Sequence, residues 1–173
     1  TKMIIYSSPC NPTGTVYTQE ELAALAAVLE RHPQVYILSD EIYEFINYSG
    51  KPHASIATFE SIKDRVIVVN GFSKGYAMTG WRLGYIAAPL WIAKACDKMQ
   101  GQFTSATCSI AQKAAEAAAS GTLQPTYDML KAFASRRELV FNLLKDVEGL
   151  KLNLPDGAFY FFPDISAYFG KSY

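Results

Sequence analysis

Three short, continuous apolar runs mark the first half of the chain. They lie at residues 4–6, 35–38 and 66–69, and each ends in polar or turn-forming residues. Uninterrupted apolar runs of this length are typical of strands that are covered on both faces. Because a helix separates the first two runs and a long connection the next two, the pattern predicts an α/β fold with a mainly parallel, mixed sheet and flanking helices.

Helical periodicity accounts for most of the other apolar positions. Thr18, three positions before Glu21, opens a capping box ahead of an apolar stripe, and this helix is expected to close near residues 32–33. Further elements are predicted as a strand at 81–87, helices at 91–99, 107–119 and 126–148, and a hairpin within 150–162. The length of the last helix indicates a connector between two lobes.

Composition excludes several classes of protein. Sixteen Lys and Arg balance sixteen Asp and Glu without a basic stripe, which argues against nucleic acid or an anionic membrane surface as partner. The longest uncharged apolar run, residues 83–93, contains Gly84 and Pro89 and is too short to span a bilayer. Three cysteines without metal-ligand spacing predict free thiols in a reducing cytoplasm and no metal site.

Polar side chains follow each of the three apolar runs. Asn11 comes after the first run and Asp40 after the second. Tyr43 lies just beyond Asp40, and Ser73 and Lys74 follow the third run. Since ligands bind at the carboxyl edge of open α/β sheets, these residues are expected to share one pocket.

A lysine at the end of a buried strand is a candidate nucleophile. Partial burial and the nearby cation Arg82 favour the neutral amine of Lys74, which can form a Schiff base. Asp40 ends an apolar strand and needs a cationic partner. Because no His or Cys lies near it in the sequence to complete a metal site, a protonated ring nitrogen is the better candidate.

The remaining polar groups suit a phosphorylated cofactor with a phenolate oxygen. Arg82 and the Ser73 hydroxyl make a plausible phosphate clamp. Asn11 and Tyr43 supply donors for a phenolate. Together with the lysine and the aspartate, these groups describe a pyridoxal phosphate site.

Each residue taken alone has a simpler interpretation. The alternatives are a solvated lysine at Lys74, a helix cap at Asp40, a core aromatic at Tyr43, a plain turn at 11–14 and an ion pair at Arg82. Patterns of the Walker A, Rossmann glycine and HExxH types are absent from the sequence.

The order and spacing of the motifs favour the site. The chain contains in succession SSPCNPTG, YILSDEIYE, VIVVNGFSKGYAMTGWRLGY and GAFYFFPDIS. Over its whole length it resembles the class I and II pyridoxal phosphate aminotransferases of fold type I. The similarity is greatest to the bacterial aspartate aminotransferases that carry MTGWR.

The resemblance implies a role for each candidate residue. Lys74 would carry the cofactor as a Schiff base and move the substrate proton, while Asp40 would hold the ring nitrogen protonated. Asn11 and Tyr43 would bind the 3′-oxygen, with Asn11 also near the substrate carboxylate. Arg82 would bind the phosphate together with Ser73, an assignment weakened by a glycine three positions before the lysine, where some members have a serine.

The resemblance also implies an activity. The protein would move an amino group between an amino acid, aspartate, and a 2-oxo acid, 2-oxoglutarate, as a cytoplasmic homodimer in amino-acid biosynthesis. The alternatives are a pyridoxal phosphate-dependent carbon–sulfur β-lyase and a catalytically inactive domain fragment. The MTGWR run and the threonine of NPTG favour the transaminase.

The resemblance divides the chain into three parts. Residues 1–125 would be the C-terminal part of the large cofactor-binding domain, 126–148 the connecting helix and 149–173 the start of an incomplete small α+β domain. Because the chain opens at Thr1 directly in extended sequence, we expect it to be a piece of a longer protein. The phosphate-cradling loop, the ring-stacking aromatic and the arginine for the substrate carboxylate would lie outside it.

The 173 residues expressed alone are therefore predicted to lack activity. Two or three missing contacts, each of about 1.5–3 kcal/mol, weaken cofactor binding roughly 10³-fold or more. Exposed apolar faces and an open sheet edge should make the segment oligomeric or poorly soluble. A coupled assay with aspartate and 2-oxoglutarate should detect no turnover; about one per cent of a full-length homologue's rate would contradict this expectation.

Overall fold

The structure, a computed structural model, describes residues 1–171. The last two residues of the predicted 149–173 unit lie outside the described residues. The strands are β1 (Met3–Ser7), β2 (Tyr36–Asp40), β3 (Val66–Gly71) and β4 (Gly84–Ala87). The helices are α1 (Gln19–Glu30), α2 (Leu90–Phe103), α3 (Ser109–Ser120) and α4 (Gln124–Leu144).

The four strands form one mixed sheet in the order β1-β2-β3-β4. The first three are parallel, and their register aligns Ser7 with Asp40 and Asp40 with Val69. The predicted α/β fold with a mainly parallel sheet is thus confirmed. β4 runs antiparallel to β3, with Gly84 opposite Gly71. A Cβ on Gly71 would lie 2.7 Å from the Gly84 Cα, so only small residues permit this close approach.

The fourth strand is shorter than the sequence pattern predicts. It starts at Gly84, because a short 3₁₀ turn occupies Thr79–Trp81. Arg82 then adopts the left-handed conformation with φ 54°. This turn reverses the chain, which the antiparallel pairing requires.

The main core lies between α1 and the sheet. The predicted capping box is present, since Thr18 Oγ1 accepts from the Glu21 amide at 3.2 Å and Glu21 Oε2 accepts from the Thr18 amide at 2.8 Å. The buried residues of this core are Leu22, Ala26, Leu29, Val35, Ile37, Ile56, Ile62 and Val66. Their burial fixes the sheet against the helix and so the edge from which the polar loops leave.

The later helices differ from their predicted bounds at the ends. α2 extends to Phe103, beyond the predicted 99, and α4 ends at Leu144, before the predicted 148. After α4 the chain turns within a few residues and reaches Gly149 with φ +83°. No helix among residues 1–171 is long and apolar enough to cross a membrane.

Residues 155–160 lie against the loops that follow β1 and β2. The Gly157 amide donates to the Gly14 carbonyl at 2.8 Å, and the Ala158 amide donates to the Ile46 carbonyl at 2.8 Å. A Cβ on Gly157 would lie 2.5 Å from Pro9 Cβ. The segment is therefore docked on the sheet-bearing part of the chain at backbone contact distance.

This docking replaces the hairpin predicted within 150–162. Among the described residues, the only β-bridge between the two halves of the expected hairpin joins Lys151 to Asp164. Gly157 forms its β-bridge with Asn47, which lies outside the hairpin. Arg137 Nε on α4 donates to the Pro155 carbonyl at 2.6 Å. Because neighbouring loops and α4 use these backbone groups, the two halves of the expected hairpin do not pair further.

The docking should make Gly14 intolerant of a side chain. Gly14 and Gly50 both have positive φ, +71° and +73°, but a Cβ on Gly14 would lie 2.9 Å from the Gly157 carbonyl oxygen and clash with Pro155, whereas Gly50 has open space. Both alanine variants lose about 1–2 kcal/mol through the left-handed backbone. We expect Gly14→Ala to lose about 1–3 kcal/mol more through overpacking.

Denaturant unfolding of the complete protein measures the difference. Gly50→Ala is the matched control, because it carries the same backbone penalty without the clash. Equal unfolding free energies for the two variants would show that residues 155–160 do not rest against Gly14.

Candidate active site

Three loops leave the sheet at the same edge. The Ser8 amide donates to the Asp40 carbonyl at 3.0 Å, and the Glu41 amide donates to the Val69 carbonyl at 2.9 Å. These bonds extend the strand ladders into the loops. The structure therefore brings Asn11, Asp40 and Lys74 to the carboxyl edge of β1, β2 and β3, as the spacing of the polar clusters predicts.

Lys74 lies among aromatic rings. Its Nζ is 5.6 Å from the ring centroid of Tyr43 and 5.6 Å from that of Phe159. Within residues 1–171 the amine has no carboxylate partner. Bonds from the Ala77 amide to the Lys74 carbonyl at 3.2 Å and from the Met78 amide to the Phe72 carbonyl at 3.3 Å close the loop around it. An unpaired amine on a fixed loop is available for chemistry.

Tyr43 and Asn11 meet at a third side chain, Tyr160. The oxygen of Tyr43 is 2.6 Å from that of Tyr160, and Asn11 Nδ2 donates to Tyr160 Oη at 3.4 Å. Tyr43 is 3% exposed. Burial raises the pKa of the Tyr43 hydroxyl above its ordinary value, and the charge of Asp40 adds to the effect. Tyr43 therefore stays protonated and remains a donor.

Asp40 ends β2 with its side chain at the loop. Its Oδ1 accepts from the Ile42 amide at 3.1 Å, which shapes the turn into the second loop. The residue is half-buried and pairs in register with Ser7 and Val69. Its carboxylate thus stands at a fixed position beside Tyr43, on which its charge acts.

Ser73 and Arg82 are joined through Thr79. Thr79 Oγ1 donates to the Ser73 carbonyl at 2.9 Å, and Arg82 Nη1 donates to the Thr79 carbonyl at 2.9 Å. Arg82 is exposed and, within the part of the chain that the structure describes, forms no ion pair with Asp40. It lines an open concavity of about 750 Å³ between its own loop and the start of α3. The structure thus leaves most of the guanidinium donors free.

Phe159 and Tyr160 are residues of the site that the sequence pattern did not indicate. Both lie in the GAFYFFPDIS motif that carried part of the resemblance. The Phe159 ring also stacks on Phe133 of α4, with centroids 5.2 Å apart. The motif was a signal, but nothing in its spacing shows that the segment folds back onto the first two loops.

A buried polar cluster supports the turn from the other side. Glu41 Oε1 accepts from Ser39 Oγ at 2.9 Å and from Ser55 Oγ at 2.7 Å, while Glu41 Oε2 pairs with His53 Nε2 at 2.9 Å. Glu41 is 4% exposed. No group of three or more potential metal ligands occurs among residues 1–171. The cluster therefore acts as an anchor for the backbone next to Asp40.

The family described as "Aminotransferase class I and II" matches residues 1–171. The chain belongs to this family. This membership confirms the resemblance carried by the motifs.

Curated relatives of this aminotransferase chain carry aspartate aminotransferase names. A Petunia hybrida protein named bifunctional aspartate aminotransferase and glutamate/aspartate-prephenate aminotransferase is 48% identical over 174 residues, which cover 98% of this chain and 36% of that protein. The aspartate aminotransferase of Bacillus subtilis is 44% identical over 165 residues, 95% of this chain and 42% of that protein. The chain thus spans about two-fifths of the length of such relatives.

Solved structures of aminotransferases share the fold. The aspartate aminotransferase from Rhizobium meliloti superimposes with a TM-score of 0.93 at 39% identity, covering 98% of this chain and 42% of that one. An aromatic aminotransferase from Pyrococcus horikoshii gives a TM-score of 0.89 at 41% identity, covering 94% and 44%. The mixed sheet with flanking helices is therefore part of a fold-type-I aminotransferase architecture.

The buried cluster generates a stability prediction. Glu41→Ala leaves His53 and two serine hydroxyls without their acceptor, and each buried donor left unsatisfied costs about 1–3 kcal/mol. Glu60→Ala is the control, because its bond to Lys63 is exposed and such pairs contribute about 0–1 kcal/mol. Chemical denaturation should separate the two variants; similar unfolding free energies would contradict the anchoring role of Glu41.

Proposed function

We propose that the complete protein is an aminotransferase that uses pyridoxal phosphate attached to Lys74. The observation that carries this proposal is the unpaired Lys74 amine, 5.6 Å from the ring centroids of Tyr43 and Phe159. This lysine is part of a chain that belongs to the class I and II aminotransferase family. The names of the relatives support aspartate as amino donor, and 2-oxoglutarate is proposed as acceptor.

The donors of the site fit this cofactor. Pyridoxal phosphate, when bound, supplies an aldehyde that condenses with amines and a ring that takes up negative charge from the neighbouring carbon. A phosphate needs cationic and N–H donors, and Arg82 is a cation with free N–H donors eight residues after Lys74. A phenolate oxygen needs O–H and N–H donors, and Tyr43 and Asn11 provide them. A protonated ring nitrogen needs a carboxylate, which Asp40 provides.

Lys74 would do two things. Its Nζ, uncharged after losing a proton, attacks as a nucleophile, and the same nitrogen later accepts and returns the proton of the substrate carbon. The closed loop at Lys74 holds the amine where both tasks are possible.

The other residues would bind and orient. Asp40 would keep the ring nitrogen protonated, and the bond from the Ile42 amide fixes the carboxylate for this task. Tyr43 would donate to the 3′-oxygen together with Asn11, which would also lie near the substrate carboxylate. Arg82 would bind the phosphate with Ser73.

Substrates, assembly and domain division complete the proposal. The domain division is residues 1–125, 126–148 and 149–173, and it is supported by the 21-residue helix α4, which ends shortly before the docked segment. In that division the bond of Gly157 to Gly14 joins two domains. A homodimer in the cytoplasm, acting on an amino acid and a 2-oxo acid in amino-acid biosynthesis, is proposed from the resemblance to the family.

Covalent attachment tests the role of Lys74. Borohydride reduction of the complete protein with pyridoxal phosphate, followed by peptide mass mapping, should place the adduct on Lys74. Lys74→Ala should lower turnover by roughly 10³-fold or more, because it removes the nucleophile and the proton carrier. Lys51→Ala, at an exposed loop position, is the control and should keep the adduct. An adduct on another lysine would refute the proposal.

Addition of an amino donor alone separates the alternative activities. An aminotransferase consumes one equivalent of aspartate and changes its cofactor absorbance without further turnover. A β-lyase instead releases pyruvate continuously from a sulfur amino acid. A protein that binds no cofactor would be a catalytically inactive domain.

A further inference from the structure

The Tyr160 hydroxyl lies between two of the proposed cofactor-binding side chains. It is 2.6 Å from the Tyr43 hydroxyl and 3.4 Å from the Asn11 amide nitrogen. In the part of the chain that the structure describes, these are its only hydrogen-bond partners. The three groups therefore form one chain of hydrogen bonds that ends at Tyr43.

The chemistry of these groups favours one direction of donation along this chain of hydrogen bonds. An amide nitrogen donates and does not accept, so Asn11 Nδ2 donates to the Tyr160 oxygen. A hydroxyl that accepts a hydrogen bond becomes a stronger donor, because neighbouring bonds polarise one another. Either hydroxyl can be the donor of the bond between Tyr160 and Tyr43, and the donation from Asn11 favours Tyr160 as that donor. With Tyr160 as donor, the proton of Tyr43 is free for another acceptor.

We propose that Tyr160 is a positioning residue, which directs the Tyr43 proton toward an anionic oxygen of a ligand bound at Lys74. The inference rests on the proposed function, in which that oxygen is the 3′-oxygen of pyridoxal phosphate. If Tyr160 accepted from Tyr43 instead, the Tyr43 proton would be used within the protein. The ligand would then lose one of its two phenolate donors.

The segment that carries Tyr160 is held in place by contacts that do not involve the Tyr160 hydroxyl. The Ala158 amide donates to the Ile46 carbonyl at 2.8 Å, and Tyr48 Oη donates to the Ala158 carbonyl at 2.7 Å. The Tyr160 ring packs against Phe159, with centroids 4.9 Å apart. Removal of the Tyr160 oxygen should therefore leave the ring in place and change only the hydrogen bonds.

The charged and titratable groups around Tyr43 are few. Asp40 lies on the same loop and strand, Lys74 Nζ is above the ring, and Tyr160 comes from the docked segment. Burial raises the pKa of the Tyr43 hydroxyl, and the charge of Asp40 adds to the effect. Tyr43 therefore keeps a proton to donate.

The experiment uses four variants of the complete protein. They are Tyr160→Phe, Tyr43→Phe, the double variant and the control Tyr48→Phe, which removes one bond that holds the segment of Tyr160 but leaves the Tyr160 hydroxyl in place. Two quantities are measured: the dissociation constant of pyridoxal phosphate for the apoprotein, and the pH midpoint of the visible absorption change of the bound cofactor.

The expected changes in the dissociation constant and the pH midpoint follow from hydrogen-bond donation by Tyr43 to the anionic oxygen of the cofactor. A hydrogen bond donated to the anionic oxygen of the cofactor lowers the pH midpoint of its absorption change. A weaker donor therefore raises that pH midpoint. Tyr160→Phe should weaken binding about twofold to tenfold and raise the midpoint by about 0.3–1 pH unit. Tyr43→Phe should change both quantities more in the same direction. The double variant should equal Tyr43→Phe, because Tyr160 acts through that hydroxyl.

The opposite results overturn the inference. These are wild-type values for Tyr160→Phe, an added effect in the Tyr43→Phe background, or an equal midpoint shift in Tyr48→Phe. If Tyr160→Phe does not fold, 3,5-difluorotyrosine at position 160 serves instead; as a stronger donor of nearly the same shape it should lower the midpoint, and a rise refutes the proposal. Failure of the proposed function is seen separately, as a wild-type protein without an adduct on Lys74.

Discussion

The hydrogen bond from Gly157 to Gly14 joins two stretches of chain that are far apart in sequence, and the candidate site depends on it. It holds residues 155–160 against the loop after β1. Phe159 and Tyr160 then complete the surroundings of Lys74 and Tyr43. The contact requires two glycines, because a side chain on either would collide with the opposite loop.

The sheet supplies the second constraint. Three parallel strands in register release their loops at one edge, so Asn11, Asp40 and Lys74 come to the same edge of the sheet. Beneath this edge Glu41 binds two hydroxyls and His53 in a buried cluster. Asp40 thus lies next to a rigid buried cluster, while Asn11 and Lys74 are held by the hydrogen bonds of their own loops.

Aromatic packing links the site to α4. Phe133 on that helix stacks on Phe159, which also contacts Tyr43 edge to face with centroids 5.3 Å apart. Arg137 on the same helix binds the Pro155 carbonyl. A movement of α4 would therefore shift the rings next to the Lys74 amine. In the proposed aminotransferase, the connecting helix and the chemical site form one mechanical unit.

The sequence by itself determined the parallel strands, the capped helix and the edge at which the polar residues gather, because continuous apolar runs, capping boxes and turn residues act locally. Its motifs also determined the family. Tertiary structure decided the partners of those residues: the return of Phe159 and Tyr160, the loss of the expected hairpin at 150–162, and the late start of β4 at Gly84. Such contacts depend on which distant backbone groups compete for one hydrogen bond, and local periodicity carries no information about that competition.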